Sequence, residues 1–535
     1  MRPLALSWLD AVPLLLYLGA ILLVGLRLRR RMVSTDAFLL AGRSLPSWAT
    51  GIAFMAANCG ALEVMGIVST SAKYGARAVH FYWLGAIPAM LFLALFMMPI
   101  YRRSRVRSVP EFLKLRYGER TRAFNAACFA VLMVLVSGIS LYAMAIVLGS
   151  VLGWSFGWSV LVGASVVLVY VFLGGLRATI YNEVLQFVLI VAGLLPLALL
   201  ALRELHGFSG VAAALPAALR HAWKGMAAVD PASATMDGFG TVVGLGFVLS
   251  FGYWCTDFLL VQRALAARDL EAAVETPLIA AVAKLFFPLL VVVPGLAAFV
   301  LFPAALASRY DLALPQLMLR YYGPGLLGLG ITAMLASFMS GMAGNVTAFN
   351  TVWTCDLYQA YLAPGRSDRH YLRVGRGASV VAVVLAGATA FLVLRFNNLM
   401  DYVQLLFSFF NAPLFATFLL GMFTRWATPA GGFAGLVSGT AAALGHYLAL
   451  RAGLLHYGSD MSANFYGAAV GWGVCFLVTV LVSLVTPGKP DAELAGLVYD
   501  RSLLPAAAER PALRRAWAIA AVVAAALALL NWAFY

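Results

Sequence analysis

Two stretches decide how this chain is read: GIAFMAANCGALEVMG at 51–66 and VVGLGFVLSFGYWCTDFLLVQR at 242–263. Both are apolar enough to enter a bilayer. Both are interrupted by glycine, and each carries one carboxylate, Glu63 in the first and Asp257 in the second. In the first, Gly60 lowers helix propensity, and Asn58 is costly in an apolar medium unless it is hydrogen-bonded. In the second, Gly244, Gly246 and Gly252 surround and precede the run that leads into Tyr253-Trp254. A third charge, Lys284, falls in the next apolar stretch. Charged groups inside a membrane are expensive, and they mark a transport pathway or a structural pair.

The rest of the chain fits a membrane setting. Of 535 residues, 63% are hydrophobic and 11% are charged, against roughly 25% charged in an average soluble domain. A soluble enzyme and a disordered chain are both excluded by that balance. A crossing helix needs about 20 apolar residues, and on that rule the sequence is read as fourteen spans. Span 2 covers 48–70, spans 5 and 6 cover 156–176 and 180–202, and span 7 covers 238–261. Spans 8 and 9 cover 276–302 and 325–353, and the last covers 516–535.

The net charge of +15 is read as an orientation signal rather than a nucleic-acid footprint. With both termini outside, 26 basic residues fall on inner loops and 10 on outer ones, Lys284 making up the total of 37. The inner set includes Arg30, Arg31, the run from Arg102 to Arg122, Arg177 and Arg501. The N-terminus lacks the pattern of a removable signal peptide. The five cysteines and six histidines show neither disulfide pairing nor metal-ligand spacing. The glycine pairs such as Gly244 and Gly246 lie in a membrane span, not at a strand–helix turn, so they are not dinucleotide sites. The longest hydrophilic stretches, 203–237 outside and 486–515 inside, are too short for an enzyme or kinase module.

Spans 2 and 7 lie five apart. Five is odd, so spans 2–6 and 7–11 would form two units of opposite orientation. Paired, interrupted helices at matching places in inverted halves point to a binding site at the midplane. Ordinary glycine-mediated helix packing is the alternative.

Seven segments carry a resemblance. They are AGRSLPSW (41–48), SVPEFLKLRYG (108–118), GGLRATIYNEVLQ (174–186), YWCTDFLLVQRALAARD (253–269), AKLFFPLLVVVPGLAAF (283–299), TVWTCDLY (351–358) and YVQLLFSF (402–409). In that order and spacing, the chain resembles the sodium/solute symporters, most closely the sodium–glucose cotransporter branch. The resemblance implies an all-α membrane protein with about fourteen spans and a leucine-transporter-type inverted repeat of five plus five helices, broken in spans 2 and 7. Residues 1–35 would form an extra N-terminal helix, 36–237 and 238–425 the two repeats, and 426–535 the extra C-terminal helices. It also implies a secondary transporter, not an enzyme, in the plasma or inner membrane, working on a small solute by alternating access.

The resemblance further assigns residues. The sodium ion would sit on carbonyls of Ala56, Cys59 and Ser337 and on the Ser340 hydroxyl. Gly341 lacks the second hydroxyl usual there, and a water or the Ser337 hydroxyl is the expected replacement. Glu183 falls at the cytoplasmic exit of the ion, or else is an interfacial acid solvated beside Arg177. The solute positions are Glu63, Tyr82, Gly85, Ser250, Lys284 and Gln404, with Tyr253 as the inner gate and Trp254 beside it. A sugar or polyol is the first expectation. A proton-coupled or uncoupled carrier of an organic acid held by Lys284 is the second, with Glu63 or Asp257 as proton carrier. A solute sensor acting through a separate partner is the third. Lys284 is also expected to pair with Glu63 or Asp257. Oligomeric state is left open.

Overall fold

The computed structural model describes residues 7–29, 41–226, 235–499 and 510–535. Arg30, Arg31 and Arg501 of the inner basic set lie outside the described residues, as do 227–234 of the outer hydrophilic stretch and 500–509 of the inner one. The side chain of Arg177 is outside the description too. Among the described residues the fold is all helical, with one isolated parallel bridge between Leu45 and Ala267. Among the described residues ten helices are long and apolar enough to cross a membrane, or twelve if two sharply bent pairs each count as one span. Two shorter apolar helices, Trp8–Ile21 and Phe156–Leu168, accompany them. We name the two ends of the bundle outer and inner after the charge-based expectation.

The bent pairs are the two stretches on which the reading began. Ser47–Asn58 and Leu62–Val79 meet at 54°, and Gly240–Thr256 and Phe258–Leu265 meet at 47°. Each break has a local cause. At the first, the helix stops at Cys59 (ψ 36°), and Gly60 follows. A Cβ built on Gly60 would lie 3.0 Å from the Gly341 Cα, so a side chain here would make the neighbouring helix Leu326–Thr351 give by a few tenths of an ångström. At the second, Asp257 is extended (φ −70°, ψ 120°), and its carboxylate accepts the Leu259 N–H at 2.9 Å. It is the N-cap of the resumed helix. π-helical turns at Leu62–Gly66, Phe81–Ala86 and Gly240–Leu249 add to the irregularity. Such turns concentrate at functional sites because they widen the helix and re-aim its side chains.

Helical backbone runs from Phe156 to Glu204, 49 residues. At 1.5 Å rise a straight rod of that length would span roughly 70 Å, more than twice a hydrocarbon core. Both ends instead reach one outer connection: Phe156 packs on Tyr142, which donates to Asp311, while Glu204 pairs with Arg320. Ile180, between them, packs with Leu45 and Ala266 at the inner end. The stretch is therefore not one straight pass.

Burial separates centre from rim. The apolar windows of Leu326–Leu362 and Leu399–Phe423 are each 83% buried, against 22%, 28% and 22% for Pro429–Arg451, Asp460–Val485 and Leu513–Ala533. The rim helices present Leu481, Leu484, Val485 and Trp532 outward, as a lipid-facing surface requires. The bent pairs sit inside this ring. Ser47–Asn58 packs on Leu270–Lys284 and on Phe258–Leu265, and the outer half of the first pair packs on Phe287–Leu301.

Candidate functional site

A cavity lies at the centre, between the two bent pairs and the helices carrying Tyr82, Lys284 and Gln404. Its polar wall is a connected cluster. The Lys284 ammonium, fully buried, sits 2.7 Å from Glu63 Oε1 and donates to Asn58 Oδ1 at 2.6 Å. Tyr82 Oη donates to the same Glu63 oxygen. Asn58 Nδ2 in turn donates to Tyr253 Oη at 3.2 Å. The Lys284 Nζ also lies 5.1, 5.3 and 4.8 Å from the ring centroids of Tyr82, Trp254 and Phe287. Cation–π attraction adds to the pairing there. Of the two expected partners for Lys284, the acid in contact is Glu63. Asp257 caps a helix instead.

The aromatic wall is built on Tyr253, which stacks on Phe407 at 4.9 Å and meets Trp254 edge-on at 5.2 Å. Gln404 lines the cavity with its Oε1 unpartnered. Its Nε2 reaches only the Met400 sulfur, 3.3 Å away. Ser250 and Gly85 face one another across two helices: a Cβ on Gly85 would fall 2.2 Å from Ser250 Oγ. The glycine leaves the space that Ser250 occupies. The structure therefore gathers Glu63, Tyr82, Ser250, Tyr253, Trp254, Lys284 and Gln404 around one cavity. Asn58, a partner of both Lys284 and Tyr253, was flagged by the sequence only as a costly polar residue.

The expected ion positions also converge. Ser337 Oγ donates to the Cys59 carbonyl at 2.6 Å, and Ser340 Oγ to the Ala56 carbonyl at 3.1 Å. The break in the first bent pair thus exposes two carbonyl oxygens to two hydroxyls of the facing helix. That set suits a hard cation, which takes oxygen ligands. Gly341 abuts Gly60: a Cβ there would lie 3.1 Å from the Gly60 Cα and 3.6 Å from Ser140 Oγ. A side chain at 341 has to push the broken helix aside.

Glu183 is not solvated. It is fully buried and pairs with Arg263 at 2.6 Å, so the expectation of a solvated acid beside Arg177 is corrected. Further pairs tie the ends of the bundle together. Arg122 meets Asp356 at 2.9 Å, and buried Arg116 donates to the carbonyls of Gly421, Thr424 and Ala427 at 2.8–2.9 Å. Arg116 therefore caps the C-terminus of the helix that carries Gln404, where a cation also matches the helix dipole. At the outer end Lys73 meets Asp401 at 2.6 Å, and Tyr74 donates to the same carboxylate at 2.9 Å. The residue types of these pairs were visible in the sequence, but their partners lie far away in it.

The profile of the sodium:solute symporter family matches residues 38–439. The chain belongs to the sodium:solute symporter family, and as such it is an integral membrane transporter rather than an enzyme. It is 29% identical to a sodium/glucose cotransporter of Vibrio parahaemolyticus, over 81% of this chain and 84% of that one. It is 30% identical to a sodium/mannose cotransporter of Bos taurus, over 76% of this chain and 72% of that one. Its fold is similar to that of a sodium-coupled sialic acid symporter solved with substrate in an outward-open state. The TM-score is 0.78 at 19% identity, covering 90% of this chain and 99% of that one.

Proposed function

We propose that this protein couples the uptake of a neutral sugar or polyol to the entry of sodium, by alternating access around the central cavity. The observation that carries the choice of solute is the Glu63–Lys284 contact of 2.7 Å. It cancels the one cation in the cavity wall, and Asn58 and three aromatic rings occupy the rest of the ammonium. What remains for a solute is uncharged: the Gln404 Oε1, the Ser250 hydroxyl, and an aromatic face at Tyr253. Hydroxyl-rich solutes suit such a wall, while a carboxylate would find no free charge to meet it. The sugars named for the two sequence relatives support the same reading.

Sodium is the coupling ion in this reading, held by the Ala56, Cys59 and Ser337 carbonyls and the Ser340 hydroxyl. The Ser337 hydroxyl, already directed at the Cys59 carbonyl, supplies the oxygen that Gly341 lacks. Tyr253 and Trp254 form the inner gate, and Glu183, released from Arg263, lines the ion's exit. In the architecture that goes with this, Trp8–Ile21 and Phe156–Leu168 join the twelve longer passes to make fourteen. The first repeat occupies 36–237 and the second 238–425, with both termini outside the cell membrane. The test of the solute class is competition against one labelled sugar in proteoliposomes. Neutral polyols compete and organic acids do not; inhibition by acids alone would overturn the assignment.

A further inference from the structure

Behind the wall formed by Asn58, Tyr253 and Phe407 lies a second, smaller cavity, which these three residues also line. It measures about 20 Å³, room for one occupant the size of a water molecule. Asp257, Asn345 and Ser140 border it. Asp257 and Asn345 are 1% and 2% exposed, and Asp257 Oδ2 and Asn345 Oδ1 are both buried without a hydrogen-bond partner. The other Asp257 oxygen is spent on the Leu259 N–H. The Asn411 amide is directed at the carboxylate without completing a full hydrogen bond to it.

Two unsatisfied buried acceptors on one small cavity are costly unless a donor or a cation stands between them, and because one of the two is a carboxylate a cation also offsets its charge. Charge bookkeeping among the neighbouring buried groups leads to the same place. Lys284 is taken by Glu63, and Arg263 by Glu183 at 2.6 Å and by the Leu259 carbonyl at 2.6 Å. Among the described residues no cation is in contact with Asp257, and the nearby Arg263 charge is directed at Glu183. The cavity also reaches Gly60 and Gly341, whose missing side chain leaves Ser140 Oγ facing the helix break.

We propose that this cavity is a second binding site for a sodium ion, held by the Asp257 carboxylate, the Asn345 amide oxygen and the Ser140 hydroxyl. The inference rests on the reading of the protein as a sodium symporter. The ion neutralises Asp257 and sits against the reverse side of the Asn58–Tyr253 hydrogen bond, whose front side lines the solute cavity. Its arrival steadies Tyr253, so ion binding favours the closed inner wall against which the solute rests.

The test is equilibrium binding of radioactive sodium to the purified, reconstituted full-length protein. Asp257→Asn is the informative variant, because asparagine keeps the helix cap while removing the charge. The wild type is expected to hold two sodium ions per chain and Asp257→Asn one. Asn345→Ala and Ser140→Ala should weaken the second ion by about tenfold each, which keeps the proposal testable if Asp257→Asn does not fold. Two ions retained in Asp257→Asn, or a single ion in the wild type that all three variants keep, would overturn the inference and leave sodium coupling standing. Uptake driven by a pH gradient without sodium, and lost in Asp257→Asn, would assign the site to a proton and overturn it too. A wild type that binds no sodium would overturn both readings.

Discussion

Replacing Lys284 with alanine removes the centre of the polar cluster. Glu63, 5% exposed, would keep the Tyr82 hydroxyl but lose the cation that pairs with it among the described residues. Breaking one partner out of a buried pair costs about 3–5 kcal/mol, because the remaining charge stays desolvated. The three-ring cage around the ammonium would also be left partly empty. The double variant Glu63→Gln/Lys284→Met behaves differently. Glutamine still accepts from Tyr82, and methionine fills the cage with a flexible apolar chain. It should recover most of the loss, since neutral replacements of buried pairs are often close to neutral in stability. The assay is thermal or denaturant unfolding of the purified protein followed by tryptophan fluorescence, at low and high salt. The single variant is expected to unfold well below wild type and the double variant near it. The gap should hardly change with salt, because a buried pair is little screened. Equal stability of wild type and Lys284→Ala, or a double variant worse than the single one, would refute the pairing.

Other substitutions probe the remaining parts. Gly341→Ala and Gly341→Ser both force the Gly60 backbone aside, but only serine brings an oxygen. Because the Ser337 hydroxyl already supplies that oxygen, the two variants should show equal sodium half-saturation, and a serine variant about tenfold tighter than the alanine variant, the equivalent of ~1.4 kcal/mol, would show that the place is still unfilled. Gln404→Leu deletes the one unpartnered amide oxygen of the solute cavity. Loss of a single hydrogen bond of ~0.5–1.5 kcal/mol predicts a KM for the solute raised by roughly 2- to 12-fold, read by initial uptake rates. Arg116→Ala strips the carbonyl cap from the end of the Leu399–Phe423 helix. It should lower the yield of folded protein sharply, as seen by size-exclusion chromatography, and Arg116→Lys should rescue it only in part, because one ammonium cannot copy the planar fork.

The sequence made the helix breaks legible because their causes are local. Gly60 and the Asn58-Cys59 pair announce the first break, and the glycines Gly244, Gly246 and Gly252 mark the second stretch as interrupted, whereas the capping role of Asp257 came only from the fold. The spacing of spans 2 and 7 placed both breaks around one cavity. Pairing was not legible in the same way. Glu63 and Asp257 were equally plausible partners for Lys284, and only packing in three dimensions chose between them. Glu183 looked solvated because a basic residue lies near it in the chain, yet its partner Arg263 comes from another part of the fold. Arg122 with Asp356 and Lys73 with Asp401 are likewise contacts across hundreds of residues, with no periodicity to reveal them. The steric character of Gly341 was also hidden. In one dimension it is a missing hydroxyl; in the fold it is the surface on which Gly60 rests.

The most direct test of the central claim is accumulation of a labelled sugar by proteoliposomes holding only this protein, under an inward sodium gradient or with choline in its place. Sodium-coupled transport predicts a transient rise of internal sugar above the external concentration in sodium alone, abolished when the gradient is dissipated. Equal uptake in sodium and choline would contradict it.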